Sequence, residues 1–397
     1  MLHPFFMFSC SDTMQDSPID YQSLAVRGVQ ALQPYQPGKP IDELERELGI
    51  RNSLKLASNE NPLGPSPRAL AAITPVLKSL ELYPDGGGFR LKAALADWLG
   101  VSPAQITLGN GSNDVLDIIG RCFLDPSRGA VFSEHAFAVY PIVTQSIGAA
   151  LQVAKALPPD HPEMPYGHDL SAMRAQVDEK TRLIFIANPN NPTGTWLTGD
   201  ALRAFLQALP ANVIVVVDEA YIEYVEREDV PDSLAWLDEF PNLIVTRTFS
   251  KIYGLAGLRV GYAVSSPTIA NLLNRVRQPF NVNALALVAA EAALSDEAHL
   301  RRSAVNNATG LQQWFAACAG QGWGYIPTIG NFISVDTGRT AAPVYQALLR
   351  EGVIVRPVAN YGLPRHLRIT IGTEAQNARC IQALRKVLAE PPADREA

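Results

Sequence analysis

The sequence predicts an α/β protein built on a mostly parallel sheet and followed by a smaller α+β region. Three observations carry this. Leu183–Ala187, Val213–Val217 and Leu243–Thr246 are apolar, β-branched runs of strand length whose starts lie 30 residues apart. Gly199–Leu209, between the first two, reads as an amphipathic helix, which is the spacing of βαβ units with both sheet faces covered. After about residue 280 the pattern changes to a long Ala/Leu-rich helix, Ala284–Ser295, and shorter candidate strands.

Taken in order, residues 1–20 read as a loose tail and 21–59 as an N-terminal arm that returns to pack on the second region. Residues 60–280 form the large unit and 281–397 the small one, with the boundary near 275–285. In the small unit Asn331–Val335, Val353–Val355 and Leu367–Ile371 are candidate strands, Ala375–Leu388 a closing helix, and Pro391–Ala397 a second tail. The apolar start Met1–Cys10 has no basic flank and no small-residue cleavage site, so it makes a poor signal peptide, and Met14 is an alternative start.

Composition excludes several classes. The chain has 397 residues, of which 47% are hydrophobic and 18% charged, as in ordinary globular enzymes. Its net charge of −6 disfavours nucleic acid and anionic membrane surfaces as partners. No apolar run reaches the ~18 residues of a membrane helix. The four cysteines, Cys10, Cys122, Cys318 and Cys380, are scattered, which suits reduced thiols in a cytoplasmic protein and no metal site.

Four polar segments follow strand-like runs, where open α/β sheets bind ligands. Lys251 follows a buried-type strand among aromatics and glycines. A lysine in an apolar pocket has a lowered pKa and attacks carbonyls, whereas an ordinary lysine is a solvated charge. Ser250 and Arg259, eight residues beyond Lys251, suit a phosphate, and Arg259 could equally pair with a surface carboxylate. Asp218-Glu219-Ala220-Tyr221 places a carboxylate at the end of a buried strand, which is costly unless paired. A pyridinium nitrogen would pair it, and a helix cap or a Mg²⁺ site are the alternatives. Asn188-Pro189-Asn190-Asn191-Pro192-Thr193-Gly194 is a turn that can aim an amide at a ligand, or simply a loop. Gly109-Asn110-Gly111-Ser112-Asn113-Asp114 opens a helix, either as an anion cradle or as a cap.

These segments, in this order, resemble the fold-type I pyridoxal-phosphate aminotransferases over roughly residues 25 to 390. The blocks Lys55–Pro67 (KLASNENPLGPSP), Leu82–Gly86 (LYPDG) and Leu367–Thr373 (LRITIGT) are similar to those of the histidinol-phosphate aminotransferases. The resemblance implies transamination between L-histidinol phosphate and 2-oxoglutarate in histidine biosynthesis, with pyridoxal 5'-phosphate as cofactor. It also implies catalytic roles for Lys251, Asp218 and Tyr221. Lys251 would carry the cofactor and then move the proton. Asp218 would keep the pyridine nitrogen protonated, making the ring an electron sink. Asn191 and Tyr221 would hydrogen-bond the ring oxygen O3′. Gly111, Ser112, Asn113, Thr248, Ser250 and Arg259 would hold the phosphate. Phe137 would stack on the ring, although His135–Tyr140 (HAFAVY) departs from the Pro-Thr-Tyr type of the family. Tyr83 would reach the neighbouring subunit's cofactor, which implies a homodimer. Arg368 and Arg356 would take the anionic ends of the substrates, and Asn59 would face the substrate.

An aromatic amino-acid aminotransferase and a threonine-phosphate decarboxylase-like enzyme share these motifs and differ in pocket shape. A non-catalytic regulator on the same fold would carry a DNA-binding appendage, and the N-terminal tail is too short and not basic. A nucleotide-binding protein would need a glycine fingerprint after its first strand, and Gly86-Gly87-Gly88 lacks that context.

Overall fold

The computed structural model describes residues 19–34 and 38–390. Most of the N-terminal tail and the segment 391–397 lie outside the described residues. Thirteen strands are found among them. They are β1 (Leu54–Lys55), β2 (Ile106–Gly109), β3 (Gly129–Ser133), β4 (Ala150–Ala154), β5 (Thr181–Ala187), β6 (Ile214–Asp218) and β7 (Leu243–Thr248). After them come β8 (Gly261–Ser265), β9 (Gly324–Ile326), β10 (Phe332–Asp336), β11 (Val353–Ile354), β12 (Arg356–Val358) and β13 (Leu363–Thr370).

The three apolar runs are β5, β6 and β7, at the centre of a seven-stranded sheet of order β2-β8-β7-β6-β5-β3-β4. Side chains alternate across a strand, so each run feeds two cores. Ile184, Ile186, Val215, Val217, Leu243 and Val245 enter one core. Leu183, Phe185, Ala187, Val216 and Ile244 enter the other, on the opposite face. That double burial explains why the runs are continuously apolar. β3 to β7 pair in parallel, while β8 runs antiparallel to both β7 and β2. The sheet is therefore mixed, with mostly parallel pairing. The helix between β5 and β6 spans Gly199–Gln207, capped by the Thr198 side chain and burying Leu202, Phe205 and Leu206. It stops two residues short of Leu209 because Pro210 follows.

The second body is an antiparallel sheet, β12-β13-β10-β9, packed on helices Ala341–Arg350 and Glu374–Ala389. The run Val353–Val355 divides: Val353–Ile354 pairs with β1, and the chain then turns so that Arg356–Val358 pairs with β13, with a register shift at Pro357. The arm packs here too. Leu54 and Leu56 join the second core, and Leu44 of helix Ile41–Leu48 meets Ala57, Leu349 and Ile354. Farther upstream, Gly28 lies against the first body, its carbonyl accepting from Gln145 Nε2 at 3.3 Å.

The helix Ala284–Leu294 is where the spacing placed the change of domain. Its Ala286, Leu287, Ala289, Ala290, Ala293 and Leu294 all face the first core. The hand-over falls within the 25-residue helix Glu297–Gln321. Leu300 and Ala304 pack on the first core, whereas Leu311, Trp314 and Cys318 belong to the second. An Ala/Leu-rich composition signals a helix buried all round, but it is blind to which core buries it.

Candidate active site

The sheet register sets the site. Gly109 pairs with Gly261, and Gly261 with Thr248; two residues back along β7, Thr246 pairs with Asp218, and Asp218 with Ala187. The carboxyl ends of β2, β5, β6 and β7 therefore form one edge, and all four polar segments leave from it. They meet arginines of the second body around a cavity of about 200 Å³. Its lining includes Asn59, Ser112, Asn113, Phe137, Asn191, Asp218, Tyr221, Thr248, Ser250, Lys251, Arg259, Arg356 and Arg368.

Lys251 sits in the turn after β7, with Nζ donating to Ser58 O at 3.2 Å and lying 5.6 Å from the centre of the Tyr221 ring. Burial lowers its pKa to about 8, helped by the nearby charges of Arg368 and Arg259 and opposed by Glu60 and Asp218. Asp218, only 4% exposed, ends β6. One carboxylate oxygen accepts from Tyr140 Oη at 2.9 Å and the other from Thr246 Oγ1 at 3.0 Å. Burial nonetheless raises its pKa to about 6 against those two bonds. A carboxylate so placed favours a cation beside it.

The Asn-rich loop sorts its amides. Asn188 closes the loop through Leu197 N and O, and Asn190 bonds His135 O and Thr193. Asn191 alone among the three lines the cavity, its Oδ1 accepting from Arg368 Nη1. Arg368 also donates to Ala57 O at 2.7 Å, and its guanidinium lies 5.6 Å from the centre of the Phe332 ring. Arg356 lines the cavity and also a larger cleft of about 1170 Å³ between the arm and both bodies.

The other end of the cavity is an anion cradle. Gly111 caps helix Ser112–Phe123 with φ +87 and no side-chain cap bond, leaving first-turn N–H groups for a ligand. A Cβ at Gly111 would lie 2.3 Å from Arg259 Nη2, and one at Gly261 would lie 2.5 Å from Ser112 N. Only glycine lets the loop, β8 and the guanidinium approach this closely. Arg259 Nη1 donates to Ser250 Oγ at 3.3 Å and to Ala256 O at 3.0 Å. A phosphate cradle, a buried carboxylate and a lysine of lowered pKa along one cavity fit a phosphorylated pyridine aldehyde.

Two expected residues stand apart. Gly111 shapes the cradle from behind its lining, as described. Tyr83 is 82% exposed and stacks on Phe280 at 4.8 Å, outside the cavity of its own chain. Glu219 faces away and forms a buried pair with Arg247 at 2.7 Å. Sequence reasoning gave no role to Tyr140 and Thr246, the hydroxyls on Asp218. Thr246 had a signal, since it lies level with Asp218 on the next strand. Tyr140 had none, because its approach depends on how helix Val139–Ile147 packs.

A family model described as Aminotransferase class I and II matches residues 51–384. Histidinol-phosphate aminotransferase 2 of Pseudomonas fluorescens Pf0-1 is 59% identical over 93% of this chain and 99% of that protein. The protein of the same name from Methylococcus capsulatus is 59% identical over 92% of this chain and 98% of its own length. Among solved structures, histidinol-phosphate aminotransferase from Sinorhizobium meliloti in complex with pyridoxal-5'-phosphate superposes with a TM-score of 0.82 at 30% identity. That alignment covers 96% of this chain and 99% of the other.

Proposed function

Because the chain belongs to the class I and II aminotransferases, we propose that it transfers the amino group between L-histidinol phosphate and 2-oxoglutarate, using pyridoxal 5'-phosphate. The observation that carries this reading is one cavity holding Lys251, Asp218, an anion cradle at Ser112 and Arg259, and two further arginines, Arg356 and Arg368. The names of the relatives support the choice of substrate.

The cofactor, when bound, supplies a carbonyl for the amine and an electron sink for the developing negative charge. The rest is done by the chain. The neutral amine of Lys251, available near pH 8, would bind the cofactor and afterwards be free to carry a proton between the two carbons on either side of the transferred nitrogen. Asp218 keeps a proton on the pyridine nitrogen. Tyr221 and Asn191 would hold the ring oxygen, and Phe137 would stack on the ring. Ser112, Asn113, Thr248, Ser250 and Arg259 hold the phosphate with the backbone at Gly111. Arg368 and Arg356 bind the carboxylate or phosphate of the substrate.

We further read the active form as a homodimer. Leu80, Leu82, Tyr83, Phe89 and Phe280 are exposed, and a second copy would cover them and receive Tyr83 at its own cofactor. Among the described residues no helix is long and apolar enough to cross a membrane. We place the enzyme in the cytoplasm on the ground of its scattered cysteines, which suit reduced thiols. We take the arm as 21–59 and the change from large to small domain within helix Glu297–Gln321.

A half-reaction titration tests the function. The purified yellow protein receives dilute histidinol phosphate in one cuvette and phenylalanine in another. Fast loss of the cofactor band with histidinol phosphate and slow loss with phenylalanine is the expected result. The reverse order would move the activity to aromatic amino acids. No band after adding the cofactor would overturn the reading from Lys251 outward.

A further inference from the structure

Asn59 lines the cavity, and its hydrogen bonds also join the two bodies of the chain. It is 1% exposed and holds a left-handed backbone with φ 56. Its N–H donates to Thr370 Oγ1 at 2.8 Å, and its carbonyl accepts from Asn331 Nδ2 at 2.9 Å. Both partners belong to the second body. Its side-chain Nδ2 donates to Tyr221 Oη at 2.9 Å, on the first body.

The direction of that last bond has a cause. The Thr370 hydroxyl accepts from Asn59 N and donates to Asn59 Oδ1, 3.4 Å away. The Asn59 amide oxygen is thereby turned to Thr370 and the amide nitrogen to Tyr221. A phenol that accepts on its oxygen keeps its proton for another acceptor. We infer that Asn59 is a positioning residue that fixes Tyr221 as a hydrogen-bond donor into the cavity. Burial supports this by raising the Tyr221 pKa to about 12, which keeps the proton on the phenol. The inference rests on the function proposed above, in which the acceptor is the ring oxygen of pyridoxal phosphate.

Asn59→Asp keeps the size and replaces the donor by an acceptor. Tyr221 then donates to the new carboxylate and no longer to the ring oxygen. The experiment measures the affinity of the cofactor-free chain for pyridoxal phosphate, and the pH midpoint of the bound cofactor's absorbance change. Asn59→Asp, Tyr221→Phe and the double variant are compared with wild type. Asn59→Asp is expected to weaken binding about tenfold and to raise the midpoint by about one pH unit, because the ring oxygen loses a donor. Tyr221→Phe should do the same, and the double variant should match Tyr221→Phe alone. A wild-type midpoint in Asn59→Asp would overturn the inference, as would a full additional shift in the Tyr221→Phe background. If Asn59→Asp does not fold, Asn59→Gly tolerates the left-handed backbone and enters the same cycle, with a smaller shift expected because the phenol proton is then unconstrained. Absence of cofactor binding by the wild type would instead defeat the proposed function itself.

Discussion

Removing the charge of Asp218 should stabilise the cofactor-free chain while weakening its grip on the cofactor. Burial raises the pKa of Asp218 from 3.8 to about 6. A rise of about two pH units corresponds to about 3 kcal/mol between the charged and neutral forms. The sign follows from proton linkage. The folded chain binds this proton more tightly than the unfolded chain, so stability falls as pH rises from about 4 to about 6 and the whole deficit stands above that. The amide that Asp218→Asn introduces carries no charge and keeps one acceptor for the hydroxyls of Tyr140 and Thr246. Some of the gain is offset, because one of those hydroxyls must now accept from the new NH₂ group. Urea unfolding of cofactor-free wild type and Asp218→Asn at pH 7.5 and pH 4.5 measures the difference. We expect the variant to be more stable by roughly 1–3 kcal/mol at pH 7.5, and by much less at pH 4.5. Pyridoxal phosphate should bind the variant at least tenfold more weakly, since the carboxylate facing the pyridinium is gone. A variant less stable at pH 7.5, or one whose gain is the same at both pH values, would refute the assignment of buried charge to this carboxylate.

Three further outcomes are expected. The rate at which cofactor-free protein captures pyridoxal phosphate should rise with pH around a midpoint near 8, not near 10.5, since the neutral Lys251 amine reacts; stopped-flow absorbance measures it, and Lys251→Ala should show no covalent capture and no turnover. Arg247→Met strands the buried Glu219 carboxylate and should cost about 3–5 kcal/mol in urea unfolding, much of it recovered in the double variant with Glu219→Gln. Gly194→Ala should cost roughly 2–4 kcal/mol in the same assay, because φ is +84 and the new Cβ would lie 2.1 Å from Thr328 Oγ1.

The parts of this site that could be read in the sequence are those made by one chain segment. Strand runs such as Val213–Val217 reveal themselves because both faces are buried, so the whole run is apolar. Asp218, Asn191 and Lys251 stand out because polar residues within a few positions of the end of such a run need a reason. The contacts made between segments could not be read. Nothing in the residues around Asn59 tells that its amide meets Tyr221, 162 positions away. Tyr140 enters the sequence reading only as the end of the segment HAFAVY, and its hydroxyl acquires a role only when helix Val139–Ile147 packs beside β6. The Ala/Leu-rich helix Ala284–Leu294 showed its burial but not its owner, since both cores are built from the same aliphatic residues.

The pairing of β1 with β11 also dictates an order of events during synthesis. Residues 54–57 leave the ribosome early, yet their partners are Val353 and Ile354, and Arg368, which reaches back to Ala57 across 311 positions. Until β11 and β13 have been delivered, Leu54 and Leu56 have no partner strand, and Arg368 cannot close the cavity wall. The first body can gather its sheet meanwhile, because β2 to β8 lie together in the chain. A growing chain therefore carries its anion cradle only from the time β8 has emerged, and until β13 follows it the substrate wall is missing. Its last hundred residues, not its first, decide when the enzyme can begin to discriminate between substrates, and until then Leu54 and Leu56 of the arm wait uncovered.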